Sequence, residues 1–291
     1  MEKVIGKMKE TEQKIREVEG MYLGFDLQGL AKKIGRPLVI ANYICDKNDV
    51  IAKKSESGEF QVAPELKNAS DWRLFQELTA QADAIITGAG YLKRYTALGE
   101  RTQNVIDQFS EGGQFAPLGE WRVKNGLKRN PDIVVVSRSL DFEIPSAAFA
   151  DGRKVMIFTT FDSSASEKAK GYEKSGAVVI PAGRDGVDGK VMINYLTDNE
   201  DYRVIKMTTG PRVLQILLSA GMLDELFITR VDKEIKADPS DVQTVLHDGK
   251  VKDLPGFAYR EIFHQNGVTA SDGQIISQSF GVYKKDGISD F

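Results

Sequence analysis

The stretch from Arg203 to Arg230, RVIKMTTGPRVLQILLSAGMLDELFITR, leaves this chain few folds to choose from. Val204–Met207 is an apolar run of strand length, and Thr208-Thr209-Gly210-Pro211 is a helix start with proline at the first helical position. Val213, Leu214, Leu217 and Leu218 then fall on one helical face, Gly221 stops the helix, and Leu226–Val231 is a second strand. Two strands joined through a helix within about thirty residues run parallel. Pro211 has no N–H, so the donors left at this helix start belong to Gly210, Arg212 and Val213, and with the helix dipole they form an anion site. Many α/β proteins carry the same turn as a plain connection, so the rest of the chain has to decide its use.

The pattern repeats. Ala84–Thr87 leads into Gly88-Ala89-Gly90, Ile133–Val136 into Ser137-Arg138-Ser139, Val155–Phe158 into Thr159-Thr160, and Ala177–Ile180 into Pro181-Ala182-Gly183. Such continuous β-branched runs are what parallel strands covered on both faces require. Each of them ends in small or hydroxylated residues, where an open α/β sheet binds its ligands. Small residues let a ligand reach the backbone, and hydroxyls add donors without bulk. Together these ends suit an extended anionic ligand such as a dinucleotide, although short connections use the same residues for structural reasons.

Around this centre the chain carries an amphipathic helix over residues 1–20, with Val4, Met8, Ile15 and Val18 on its stripe and Gly20 as its stop. That stripe is expected to dock on its own domain or on a second subunit. A glycine-containing linker follows, so the division is an N-terminal helix and linker, 1–35, and an α/β domain, 36–291. Pro37–Cys45 is the first strong strand, Asp46–Asp49 a polar turn, and Asp71–Ala80 a helix capped by Ser70 with Trp72, Phe75 and Leu78 inward. A helix near Arg101–Phe109 and a basic loop from Trp121 to Arg129 come next, and Asp224-Glu225 reads as a turn bonding its own backbone. Phe257–Phe263 and Gln274–Tyr283 alternate like antiparallel strands with one wet face.

Composition removes several function classes. A formal net charge of −3 gives no support for nucleic acid or an anionic membrane as partner. No apolar stretch reaches the roughly 18–20 residues of a membrane span. The single cysteine, Cys45, reads as a core residue of a protein in a reducing cytoplasm. His247 and His264 are the only histidines and lie in different elements, so no His-based metal site is expected. Gly88-Ala89-Gly90 continues as Tyr91-Leu92-Lys93, so the glycine pattern of a Rossmann fingerprint fails at Lys93. Arg138, between two serines after a strand, reads as a grip on a phosphate such as the 2′-phosphate of NADP, or as an exposed turn arginine. Arg73, Lys93 and Arg94 form a second basic set whose plainer reading is a solvated surface.

The segments ASDWRLFQELTAQADAIITGAG (69–90), IVVVSRSLDF (133–142) and TTGPRVLQILLSAGMLDELFITRV (208–231) resemble the reductase domain of riboflavin biosynthesis, the C-terminal half of the bacterial bifunctional deaminase–reductase. The resemblance covers roughly residues 36–231. It implies a dihydrofolate-reductase-like α/β fold, a mixed, mostly parallel sheet flanked by helices, here with an extra N-terminal helix, in a homodimer. It also implies NADPH as cofactor and hydride transfer to a pyrimidine- or pterin-like substrate, the family's own being a ribosylamino-pyrimidine phosphate. Gly88, Gly90, Ser137, Arg138, Thr159, Thr208, Thr209, Gly210, Pro211, Arg212 and Val213 are then the cofactor-binding set, and Asn42, Arg73 and Tyr91 the substrate side. Four positions depart from the family pattern. Thr208-Thr209-Gly210-Pro211 replaces EGGP, Tyr91 replaces a threonine, Asp46-Lys47-Asn48-Asp49 replaces SLDG, and Asp232-Lys233-Glu234 replaces a proline- and glycine-rich strand. These departures leave open a second reading, a non-enzymatic protein that holds a nucleotide or other ligand on the same scaffold.

Overall fold

The computed structural model describes residues 2–56, 58–98, 106 and 109–288. In chain order its elements begin with helices α1 (Glu2–Val18) and α2 (Leu27–Ile34), then strands β1 (Leu38–Cys45), β2 (Val50–Lys54) and β3 (Phe60–Gln61). Next are α3 (Ala69–Gln81), β4 (Ala84–Gly88), α4 (Ala89–Leu98), α5 (Ala116–Lys124), β5 (Asp132–Val136) and β6 (Val155–Thr159). Then α6 (Phe161–Ser164), α7 (Glu167–Lys174), β7 (Val178–Pro181), α8 (Gly189–Asp198) and β8 (Val204–Met207) lead to α9 (Pro211–Ser219) and β9 (Glu225–Val231). The chain closes with β10 (Val242–Thr244), β11 (Phe257–Thr269) and β12 (Ile275–Lys285). The large sheet is mixed, mostly parallel and flanked by helices, as expected. The chain groups into two compact units, one of Met1–Phe25, Ile40–Leu78 and Asp224–Phe291, the other of Asp26–Val39 and Thr79–Leu223.

In the second unit the strands follow the order β8-β4-β5-β6-β7, all parallel. Strands β4, β5, β6 and β8 are buried along nearly their whole length, which is why their sequences are continuous apolar runs rather than alternating ones. Helix α9 ends as its sequence foretells. Gly221 adopts φ +66°, and the N–H groups of Gly221 and Met222 reach back to Leu218 and Leu217, a closure that favours glycine. The expected basic loop 121–129 is instead partly helix α5, with Arg122 turned into the interior, where it donates to the carbonyls of Thr79, Ala80, Ala82 and Lys128. Thr79 and Ala80 stand in the last turn of α3 and Ala82 just beyond it, where a carbonyl lacks the donor that a helix interior supplies four residues on. Most of the helix expected near Arg101–Phe109 lies outside the described residues.

In the first unit β1 pairs parallel with β9, β9 pairs antiparallel with β12, and β12 pairs antiparallel with β11. The two tail strands are thus present and longer than their alternation alone suggests. Cys45 is fully buried, as expected. The cap of α3 is Asn68, whose Oδ1 accepts from Asp71 N at 3.0 Å, not Ser70, because the helix already begins at Ala69. Its buried face is Leu74 and Leu78, while Trp72 and Phe75 stack on each other half-buried, ring centroids 5.1 Å apart. Asp224-Glu225 is not a self-bonded turn. Glu225 opens β9, is fully buried, and faces Lys284 of β12 at 3.4 Å.

Helix α1 docks on its own unit. Gln265 of β11 donates to the Lys14 carbonyl at 2.7 Å and to Glu17 Oε2 at 3.0 Å. Its own amide oxygen accepts from Gln278, which exchanges hydrogen bonds with Asn68, so a buried chain of amides ties α1, α3, β11 and β12 together. Glu77 accepts the N–H groups of Gly20 and Tyr22 and fixes the chain as it leaves the helix. Val18 is fully buried, whereas the side chains of Val4 and Met8 lie outside the described residues.

Candidate functional site

The carboxyl ends of β4, β5, β6 and β8 all belong to the second unit, so the parallel register brings the sequence-predicted strand ends to one rim. Ala84, Ile85 and Ile86 of β4 pair with Ile205, Lys206 and Met207 of β8, and Thr208 continues this pairing by donating its N–H to the Ile86 carbonyl at 2.8 Å. The Thr208 hydroxyl donates to the same carbonyl at 3.1 Å. Thr209 then approaches the end of β4 so closely that a Cβ on Gly88 would stand 2.9 Å from its Oγ1. Glycine at 88 therefore lets the two strand ends meet. Strand β4 runs directly from Gly88 into α4 without an intervening turn, with Gly90 exposed in the first helical turn and Tyr91 half-buried beside it.

Gly210 is the N-cap of α9, with φ −67° and ψ 176°, and offers no side-chain cap. Among the described residues, nothing accepts the N–H groups of Gly210 and Arg212. The third donor foreseen there is already engaged, since Val213 N–H is given to the Gly210 carbonyl at 3.2 Å. Two free N–H groups, the α9 dipole and a proline that fixes the first turn remain, with nothing negative capping them. The helix start is open to an anion.

Two buried hydroxyls mark the same rim. Thr87 and Thr159 are almost completely buried, and neither Oγ1 has a hydrogen-bond partner among the described residues. Thr87 is level with Val135, and Val135 with Ile157, so Thr159, two residues further on, shares the sheet face of Thr87. A buried hydroxyl left unpaired costs about 1–3 kcal/mol, and a ligand oxygen or nitrogen would satisfy it. Thr87 was not among the sequence candidates. Its position at the last residue before Gly88 was the available signal.

Next along the rim, Ser137 is buried and holds its own turn, its Oγ accepting from Leu140 N at 3.2 Å, while Arg138 projects exposed. The Arg138 carbonyl accepts from the Ser163 hydroxyl at 2.7 Å, which ties this turn to α6. No described group pairs with the Arg138 guanidinium. Lys93 is not comparable, being paired with Asp141 at 3.0 Å. The hydrogen bond and charge of Lys93, with help from Lys168, hold the Asp141 carboxyl below the usual range.

The residues assigned to the substrate side are placed as follows. Asn42 is buried in the middle of β1, level with Phe227 of β9. Arg73 is engaged within the first unit, its guanidinium 3.0 Å from Glu19 and 2.9 Å from Glu77. The Asp46–Asp49 turn is polar, as expected, with Lys47 and Asn48 exposed and the two aspartates buried as a hydrogen-bonding hub. Asp46 accepts from the N–H groups of Asn48, Val50 and Ile235, and Arg230 meets Asp49 at 2.7 Å. Asp49 adopts φ +69°, a conformation that glycine takes more easily and that this hub imposes on an aspartate.

The rim of the second unit thus offers backbone donors, hydroxyls and the unpaired guanidinium of Arg138, with no carboxylate or imidazole among them to act as acid or base. Such a set can bind and orient an anionic nucleotide, and the chemistry falls to the bound group. Among the described residues, no group of three or more His, Cys, Asp and Glu side chains could hold a metal ion, and no helix is long and apolar enough to cross a membrane.

The sequence pattern of the RibD C-terminal domain matches residues 49–233. A pyrimidine reductase-like protein from Corynebacterium diphtheriae aligns with a TM-score of 0.60 at 21% identity, over 87% of this chain and 94% of that one. The riboflavin biosynthesis reductase Rib7 of Saccharomyces cerevisiae aligns with a TM-score of 0.52 at 11% identity, over 89% of this chain and 97% of its own. RibD of Acinetobacter baumannii aligns with a TM-score of 0.52 at 13% identity, over 87% of this chain and 60% of that longer one. At these identities the likeness is one of fold. No curated protein matches the chain.

Proposed function

We propose that this chain, which belongs to the RibD C-terminal domain family of reductases, is an NADPH-dependent reductase of a pyrimidine- or pterin-like substrate. The observation that carries this reading is the α9 start, where the N–H groups of Gly210 and Arg212 and the helix dipole face outward without a partner. There the cofactor diphosphate would be held, with Gly88 and Gly90 admitting it to the backbone and Thr208, Thr209, Pro211 and Val213 shaping the turn. Ser137 and Arg138 would receive the adenosine 2′-phosphate, and Thr159 a polar atom between them. The nicotinamide, when bound, supplies the hydride. Asn42, Arg73 and Tyr91 remain the residues of the substrate side in this reading, and the protein works as a cytoplasmic homodimer without nucleic acid or membrane as partner.

Calorimetric titration of NADPH and NADH tests this directly, and absence of binding for both at millimolar concentration refutes it. Arg138→Ala should weaken NADPH about five- to tenfold relative to NADH, on the order of 1 kcal/mol for a charge-assisted contact discounted for exposure. Equal losses for both cofactors remove the 2′-phosphate role. A non-enzymatic ligand-binding role is favoured by one feature, the threonine at 208, where the family pattern has an acid and this chain has a hydroxyl turned back onto the Ile86 carbonyl. Turnover of any pyrimidine, pterin or flavin precursor excludes that second reading.

A further inference from the structure

Phe161 is 54% exposed, a bare aromatic ring directly after the Thr159-Thr160 end of β6. A single exposed phenylalanine is common on protein surfaces and by itself says nothing. What distinguishes this one is the rigidity of its mount. Its backbone N–H donates to the Gly183 carbonyl at 2.8 Å. Gly183 has φ +149°, and a Cβ there would lie 2.0 Å from the Gly186 carbonyl oxygen, so the loop it begins closes only with glycine. Thr160 caps the turn by accepting from Ser163 N, and the Ser163 hydroxyl reaches the Arg138 carbonyl. The backbone that carries the ring is therefore fixed by the loop after β7, by its own cap and by the Arg138 turn. The ring is left uncovered on a helix tied to that turn, whose guanidinium has no described partner.

A flat apolar face on a helix tied to the turn that carries an unpaired cation matches the two halves of a phosphorylated adenosine. The base has a π-face that stacks on aromatic rings, and the 2′-phosphate takes the charge. We infer that Phe161 is the platform on which the adenine of the bound dinucleotide stacks, next to Arg138 at the 2′-phosphate. This rests on the nucleotide reading above. The two residues then divide the adenosine end by chemistry. Phe161 reads a feature that NADPH and NADH share, and Arg138 reads the one in which they differ.

That division gives the test. Binding of NADPH, NADH and adenosine 2′,5′-bisphosphate is measured for the wild-type chain, Phe161→Ala, Phe161→Trp and Arg138→Ala. Phe161→Ala should weaken all three about tenfold, the size of an aromatic–base stack, and leave the NADPH to NADH ratio unchanged. Phe161→Trp should restore affinity, and its fluorescence should be quenched by adenosine 2′,5′-bisphosphate but not by nicotinamide mononucleotide. A general loss of structure would lower the melting temperature of Phe161→Ala and would not be rescued by tryptophan; that result overturns the inference. So does wild-type affinity of Phe161→Ala, even while Arg138→Ala keeps its selective effect and the reductase reading stands. If the wild-type chain binds neither dinucleotide, the reductase reading falls and this inference with it.

Discussion

Arg122 supports the central strand of the candidate site from its far end, and removing it should be costly. Its side chain is 1% exposed, with Nη1 donating to the carbonyls of Ala82 at 2.6 Å, Ala80 at 2.9 Å and Thr79 at 3.3 Å, and Nε to Lys128 at 2.7 Å. Burial pulls the guanidinium down to about 9, so it stays charged at neutral pH. In Arg122→Met the aliphatic stem remains and the donors vanish, which takes the guanidinium from the carbonyls of Ala80, Ala82 and Lys128, while the Thr79 carbonyl keeps the Ala82 N–H at 3.2 Å. At about 1–3 kcal/mol for each orphaned carbonyl, offset in part by no longer burying a charge, the net loss is about 3–5 kcal/mol. For a protein of this size each kcal/mol lowers the melting temperature by about 2–4 °C, so a fall of roughly 10 °C is expected. Thermal and urea unfolding at pH 7 measure it, with Arg122→Lys recovering only part, since one ammonium cannot span the fork. A loss below about 1 kcal/mol would refute the reasoning, because it would mean that the cost of burying the charge cancels all four bonds.

Other perturbations have equally definite outcomes. Burial pushes the Cys45 thiol up to about 12, so at pH 8 the thiolate fraction is roughly one in ten thousand, and a thiol reagent should label it only after denaturation; rapid labelling of the native protein would contradict this. Lys284→Met leaves the buried Glu225 carboxylate without its cation, at a cost of about 3 kcal/mol at pH 7.5. Burial already raises the Glu225 carboxyl, so the folded state favours its protonated form. The penalty is therefore present above the folded-state value and should shrink as the pH falls through it, which urea unfolding at pH 7.5 and pH 5 would show as converging stabilities.

The sheet of the second unit was legible because its strands are buried on both faces and written in unbroken apolar runs, as in IVVV before Ser137 and VIKM before Thr208. The tail strands were legible for the opposite reason, their alternation. Long-range partners were not. Arg122 looks like a loop arginine until residues some forty positions earlier bring their carbonyls to it. Arg73 reads as a solvated helix charge until Glu19 and Glu77 are found paired with it. In the candidate site, the hydroxyls and glycines of the strand ends could be read directly, because strand-end chemistry is local. Val213 could not, since its N–H is claimed by a carbonyl three residues away that only the turn's geometry brings near. Phe161 was invisible because it follows no period, and its meaning lies in how stiffly the surrounding backbone is held.

The amide chain through Gln265 has a consequence for how the polypeptide is made. Gln265 follows Lys14, whose carbonyl it binds, by 251 positions. A ribosome adding about 5–20 residues per second completes that interval in roughly 12–50 seconds. Throughout it, the 17 residues of α1 lack their contacts with β11, and an isolated helix of that length is marginal in water. Helix α1 is thus latched only once a hairpin 251 positions further along the sequence has been made.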